Sequence, residues 1–219
     1  MNCAVWWLDP GPAVEPYLGL LDDVERDRMG ALLRVEDRVR FAAAAALLRT
    51  VAGEATGTPP PAVRVDRACP DCARPHGRPT LPGTGLHASV SHSGARVVVA
   101  LTAHGPVGVD VEQARAIDHD GMAGHVLGPD ERAGDLTAFY RYWTRKESAV
   151  KATGDGLRVP LDQVRVSPPD QPARLLAYPG RPDLVATMAD LAPGDGYLGA
   201  VTILAPGPVE VREHRVSRL

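Results

Sequence analysis

The chain has 219 residues, of which 44% are hydrophobic and 23% charged, and its formal net charge is −3. These proportions suit one large globular domain or two small ones with a real core. They argue against a general nucleic-acid binder, which would carry a basic surplus, while leaving room for a local basic pocket that holds a small polyanion. Three cysteines, Cys3, Cys69 and Cys72, are too few for a disulfide framework and point to a reducing compartment. The longest apolar run, Phe41 to Leu48, is too short to span a membrane. The opening MNCAVWWLDP lacks a basic signal region. The expected location is the cytoplasm, with no membrane or nucleic-acid partner.

In chain order, residues 4–8 (AVWWL) read as a strand stopped by Asp9-Pro10-Gly11-Pro12. Residues 17–53 read as helical in two parts, 17–33 and 36–52, with an Ala-rich run at 42–46 and Gly53 as the stop. Residues 54–88 are rich in Pro, Gly, Cys and Arg and read as loop with one short strand near Val63–Val65. Strands are expected at 88–91, 97–102 and 107–112, with His104-Gly105-Pro106 as a turn. Residues 113–134 read as irregular or weakly helical. Residues 135–153 form the clearest helix of the second half, ended by Gly154. The remainder alternates short strands with turns. Helix and strands recur in each half, which divides the chain at 1–106 and 107–219 into two α+β units.

Asp110 and Glu112 lie two apart in a strand-like segment, so both side chains point to one face while Val109 and Val111 take the other. Alone, such a pair also fits a solvated strand edge. In the helix, Leu136, Tyr140, Trp143, Glu147 and Val150 fall on one stripe. Glu147 therefore stands where a core residue belongs, with Lys151 beside it at i+4. A simple salt bridge at the stripe's margin would account for that pair as well. If Glu147 meets Asp110 and Glu112, each pair at about 5 Å and an effective dielectric near 20 repels by roughly 3 kcal/mol. Such a cluster calls for a cation. Oxygen-only ligands favour Mg²⁺ or Mn²⁺, and Mg²⁺ readily shares itself with substrate phosphates.

Ser91-His92-Ser93-Gly94 lacks the GxSxG pattern of a nucleophile elbow. Phosphate contacts or a locally bonded turn suit it better than nucleophilic catalysis. Arg74, His76 and Arg78 share one loop, and Arg38, Arg40 and Arg49 flank the Ala-rich helix. Guanidinium forks match phosphate oxygens. No glycine-rich phosphate cradle is present. Cys69-Pro70-Asp71-Cys72 has zinc-knuckle spacing with His76 nearby, but no second CxxC supplies a fourth ligand. It reads as a pair of reduced loop cysteines, with zinc as the alternative.

GVDVE at 108–112, WTRKESAVK at 143–151 and VSHSG at 90–94 together resemble the Sfp type of 4′-phosphopantetheinyl transferase. That class activates peptide and polyketide synthases. The resemblance runs from about residue 38 to 166. It implies a pseudo-dimeric α+β fold with coenzyme A and Mg²⁺ between the halves. It further implies that Asp110, Glu112 and Glu147 hold the metal, and that Lys151 reaches the phosphates. Ser91 and His92 would lie near the nucleotide's phosphates. Arg78 stands where the family has a basic residue, and Lys146 and Trp143 complete the motif, Trp143 as packing. The chain departs from the family at Ala45 and Ala46, where many members carry a polar residue; a coenzyme A contact is then expected to move to Arg49.

The implied reaction is attack by a carrier-protein serine on the β-phosphate of coenzyme A, with 3′,5′-adenosine bisphosphate leaving. Glu147 or a metal-bound water would take the proton, and Lys151 and His92 would offset charge. Met122, Val126 and Leu127 are expected to form an apolar docking patch for the carrier. Two fused halves fit a monomer. The rival readings are a Mg²⁺-dependent nucleotide phosphoesterase and a zinc-stabilised binding module.

Overall fold

The computed structural model describes residues 2–69, 71, 72, 74–115 and 119–219. The chain opens with strand β1 (Asn2–Leu8), then helices α1 (Glu15–Leu18), α2 (Asp23–Gly30) and α3 (Val35–Thr56). The helix expected over 17–33 is thus broken in two. Asp22 breaks it: its side chain accepts from Glu25 N at 2.9 Å while Glu25 accepts from Asp22 N at 3.3 Å, a capping box that starts α2. Helix α3 runs through the expected stop at Gly53 and ends at Gly57, which adopts a φ of 67°. Gly53 is glycine for another reason. A Cβ there would lie 2.5 Å from the Thr58 carbonyl oxygen, where the chain folds back on the helix.

The strand expected at 63–65 is absent among the described residues. A single 3₁₀ turn (Pro60–Ala62) and an isolated bridge between Asp66 and Thr80 replace it. Then follow β2 (His87–Ser93), β3 (Arg96–Thr102), β4 (Val107–Gln113), α4 (His119–Val126) and α5 (Leu136–Thr153). The segment expected to be irregular or weakly helical over 113–134 carries one short helix; residues 116–118 of it lie outside the described residues. Helix α5 starts where Asp135 accepts from Ala138 N at 2.7 Å and stops, as expected, at Gly154 with φ 77°. Five strands complete the chain: β5 (Arg165–Val166), β6 (Leu175–Ala177), β7 (Thr187–Leu191), β8 (Tyr197–Ile203) and β9 (Glu210–Val216).

The architecture is α+β. One sheet has the order β2-β3-β1-β9, another β4-β8-β7, and β5-β6 form a small third. Strand β9 returns from the end of the chain to pair parallel with β1, Asn2 opposite Glu210 through Leu8 opposite Val216. Its charged, largely exposed face suits an edge position.

Side-chain alternation then sorts the core into layers. Val5, Trp7, Val98 and Ala100 meet Val107, Val109, Val111, Val201 and Ile203 between the two main sheets. Val97, Val99 and Leu101 face the other way, against α3. That face is why α3 is alanine-rich: Ala42 to Ala46 are all buried, and small side chains let the helix lie close to β3. Ala45 and Ala46 therefore belong to the core. On the far side, α5 packs on β4 and β8. No helix among the described residues is long and apolar enough to cross a membrane.

Candidate active site

The site is built where β2, the edge of one sheet, meets β4, the edge of the other. Ser89, Ser91 and Ser93 alternate along β2 and all face β4. Ser89 Oγ accepts from Val109 N at 3.0 Å, and Ser93 Oγ from Gln113 N at 3.1 Å. Ser91 Oγ donates to Asp110 Oδ1 at 2.9 Å, and Ser93 Oγ to Glu112 Oε2 at 2.7 Å. Serine hydroxyls thus take the place of a backbone ladder between the two edges. The register they impose holds both carboxylates on the seam, on one face as their spacing requires.

Gly108 brings in the helix. A Cβ there would overlap the Ser148 carbonyl oxygen and the Ala152 amide nitrogen, so α5 lies flush on β4. The close approach puts Lys151 Nζ 2.6 Å from Asp110 Oδ1 and 3.0 Å from Ser91 Oγ. Glu147, one turn earlier on the same face, is half-buried beside them.

Three carboxylates now share one lysine. Burial, and then the neighbouring Asp110, raise Glu112 to about 7 and hold Glu147 above the ordinary carboxyl range. Asp110 is 2% exposed, and its Oδ2 has no hydrogen-bond partner among the described residues. An unsatisfied buried polar atom costs on the order of 1–3 kcal/mol. A cation would satisfy that oxygen and reverse the resistance of its neighbours to ionisation. The donor set, oxygen only, fits Mg²⁺ or Mn²⁺. It is also set wide. Among the described residues, the one group of three His, Cys, Asp or Glu ligand atoms lying within 4.8 Å of one another is Cys69, Cys72 and His76. A wider carboxylate set leaves coordination positions for water and substrate oxygens, which Mg²⁺ favours.

His92 follows Ser91 on the opposite face of β2 and is open to solvent. Crowding by its surroundings and the charges of Arg40 and Lys151 hold its imidazole below the usual range, favouring the neutral ring. Arg40 reaches this hairpin from α3, donating to Gly94 O at 3.1 Å and to Asp37 Oδ1 at 2.5 Å. Gly94 has φ 55°, and a Cβ on it would overlap Tyr197 and Gln113. Arg78 is exposed and donates to Ala152 O at 3.0 Å, so it meets the end of α5 that carries Lys151.

Other expected residues stand elsewhere. Arg49 is 1% exposed and donates to Glu25 Oε2 at 2.7 Å, to Val63 O at 2.7 Å and to Asp22. Its fork is committed to holding α2 on α3, and the structure does not offer it to the seam. Lys146 is sealed in the interior, bonded to Val126 O at 2.6 Å, Leu161 O at 3.1 Å and Glu131. Trp143 packs against Phe139 and Tyr140, as expected. The expected apolar docking patch loses Val126, which is 2% exposed and packs with Phe139 and Tyr140; Met122 and Leu127 lie against the same cluster but stay half-buried.

The sequence reading did not find Ser89 or Gly108 as builders of the site, and it named Ser93 and Arg40 only among segments suited to phosphate contacts. Two signals were there: a serine at every second position of 89–93, and a glycine inside a strand, which marks close backbone approach.

Fold and site thus define an α+β protein whose acidic cluster lies at the seam of two helix-backed sheets. Residues 106–201 match the 4′-phosphopantetheinyl transferase superfamily. Over 214 residues the chain is 28% identical to the 4′-phosphopantetheinyl transferase HetI of Nostoc sp., covering 90% of this chain and 84% of HetI. A 4′-phosphopantetheinyl transferase of Bacillus subtilis is 30% identical over 152 residues, 65% of this chain and 64% of that protein. The transferase Sfp of Bacillus subtilis strain 168 is 34% identical over 101 residues, 42% of this chain and 44% of Sfp. Residues 106–201 thus carry the match to that superfamily, and the chain is an enzyme similar to the curated 4′-phosphopantetheinyl transferases. This segment contains Asp110, Glu112, Glu147 and Lys151; Ser91, His92 and Arg78 precede it.

Proposed function

We propose that the protein is an Sfp-type transferase that moves the 4′-phosphopantetheine group of coenzyme A to a serine of acyl or peptidyl carrier proteins of polyketide or peptide synthesis. The observation that carries this reading is the seam cluster: three carboxylates against one lysine, with Asp110 Oδ2 lacking a partner among the described residues. Mg²⁺ held by Asp110, Glu112 and Glu147 would supply positive charge beside a pyrophosphate.

The chain's own residues do the rest. Lys151, tied to Asp110 and Ser91, offsets charge on the phosphoryl oxygens. His92, Arg78 and Arg40 line the approach from the first half (1–106) and hold the nucleotide phosphates. Glu147, ionised, accepts the proton of the carrier serine as its Oγ bonds to the β-phosphorus. The bond from that phosphorus to the bridging oxygen breaks, and 3′,5′-adenosine bisphosphate leaves. The enzyme acts as a cytoplasmic monomer, consistent with its three free thiols.

Intact mass of an apo-carrier incubated with the protein, coenzyme A and Mg²⁺ tests this. The expected gain is about 340 Da, abolished by EDTA and by Glu147→Ala. Coenzyme A hydrolysed with every carrier unmodified would make the protein a phosphoesterase. Coenzyme A untouched would sink catalysis altogether.

A further inference from the structure

Cys69, Cys72 and His76 lie in the connection from α3 to β2, and the proposed transfer uses none of them. Their sulfur and ring-nitrogen atoms all lie within 4.8 Å of one another. Cys72 Sγ is 3.0 Å from His76 Nε2. A tetrahedral zinc site, with Zn–S of about 2.3 Å and Zn–N of about 2.0–2.1 Å, has S···S edges of about 3.8 Å and S···N edges of about 3.5 Å. Small side-chain rotations would therefore close the cluster on an ion.

The backbone is already folded as such a site needs. Cys69 N and His76 N both donate to Arg74 O, at 2.9 and 2.8 Å, and Gly77 N donates to Arg67 O at 2.7 Å. A Cβ on Gly77 would lie 2.7 Å from Ala68 O, so only glycine lets the two limbs of the loop touch. The backbone N–H groups of Asp71 and Cys72 point at the Cys69 sulfur and hold its thiol below the usual range. All three cysteines are free thiols, and Cys72 and His76 are exposed.

We infer that Cys69, Cys72 and His76 bind one Zn²⁺, leaving a fourth position to water or another ligand. Two thiolates and an imidazole select zinc over the Mg²⁺ that carboxylates favour, so the two sites differ in donor chemistry as well as place. The ion would staple a loop whose neck is closed by the Asp66–Thr80 bridge. It would tie that loop to the second half through Asp71, which accepts from Arg158 at 2.9 Å, and through Arg78, two residues past His76. That positioning of Arg78 for coenzyme A rests on the function proposed above; the zinc site does not.

The test uses the full chain, purified under reducing conditions without an affinity tag and loaded with zinc, then dialysed. Metal analysis is expected to find about one zinc per chain, falling below about a tenth in Cys69→Ser/Cys72→Ser and in His76→Ala. Cys3→Ser and Glu147→Ala retain it. Cobalt in place of zinc gives a thiolate charge-transfer band that the double serine variant loses. Unchanged circular dichroism shows that the variants fold. Zinc below about a tenth in the wild type after loading, cobalt bound without that band, or a Cys69–Cys72 disulfide persisting in reductant would each overturn the site. A zinc-containing protein that fails to modify carriers would leave this inference standing and sink the transfer instead.

Discussion

Helix α5 carries two sets of ions, and they have opposite fates. Arg145 and Lys146 point into the interior and are fully buried. Arg145 is bonded to Asp190 at 2.8 and 2.6 Å and to the carbonyls of Ser167, Pro168 and Gln171. Lys146 is enclosed by two carbonyls and Glu131. Glu147 and Lys151 point at the seam. There Lys151 keeps 31% of its side chain exposed, Asp110 keeps an oxygen without a partner among the described residues, and Glu112 resists ionisation. A buried ion that the chain satisfies by itself is structure. A buried ion set that the chain leaves short of positive charge is a place for something else.

Substitutions can break that contrast. On the seam side, Asp110→Ala should lower carrier modification by about 10³–10⁴-fold, or about 4–5.5 kcal/mol, without lowering the melting temperature, because it removes repulsion. Steady-state rates and a thermal melt on one preparation check both halves. On the interior side, Lys146→Met should do the reverse. Leaving Glu131 buried without its cation costs about 3–4 kcal/mol, seen as a lower urea midpoint, while the folded fraction keeps its turnover. Equal losses of rate from both variants, at unchanged stability, would erase the distinction.

Gly108→Ala sits between the two sets. It should push α5 off β4, costing about 1–3 kcal/mol and raising the metal concentration needed for activity; a metal titration beside a urea curve reads both. A pH series sharpens the seam further. Folding raises the Glu112 carboxyl from its ordinary 4.5 to about 7, so the native state holds this proton more tightly than the unfolded chain. Stability of the metal-free protein should therefore fall as pH rises from about 4.5 to 7. Added Mg²⁺ should remove most of that fall, since a cation favours the ionised form. A melting temperature that is flat across this range in EDTA would contradict the raised carboxyl. Ser93→Ala is the mildest test. It deletes the bond to Glu112 and the acceptor of Gln113 N, and about 1 kcal/mol of stability is expected to go with them in a urea melt.

Much of the site was legible in the sequence because it depends on local geometry. Strand period alone places Asp110 and Glu112 on one face, with Val109 and Val111 on the other. Helix period alone makes Glu147 an intruder on an apolar stripe and sets Lys151 beside it. Arg49 was misjudged because its partners, Asp22, Glu25 and the carbonyl of Val63, come from segments 14 to 27 residues away. Val126 was misjudged for a related reason. An apolar run shows that a face must be covered, but not that Phe139 and Tyr140 cover it.

The sequence by itself determined which elements form and which residue types each face presents, since backbone period, capping side chains and glycine conformations act within a few residues. It also determined the acidic chemistry, because Asp110, Glu112 and Glu147 occupy positions that their neighbours mark as facing inward or together. Only the tertiary structure decided which charges remain unbalanced. That outcome depends on serines of β2 meeting the edge of β4, on Gly108 admitting α5, on β9 returning to β1, and on a loop folding Cys69, Cys72 and His76 together. Each of these is a contact between distant segments, and its energy exists only once the chain has closed around it.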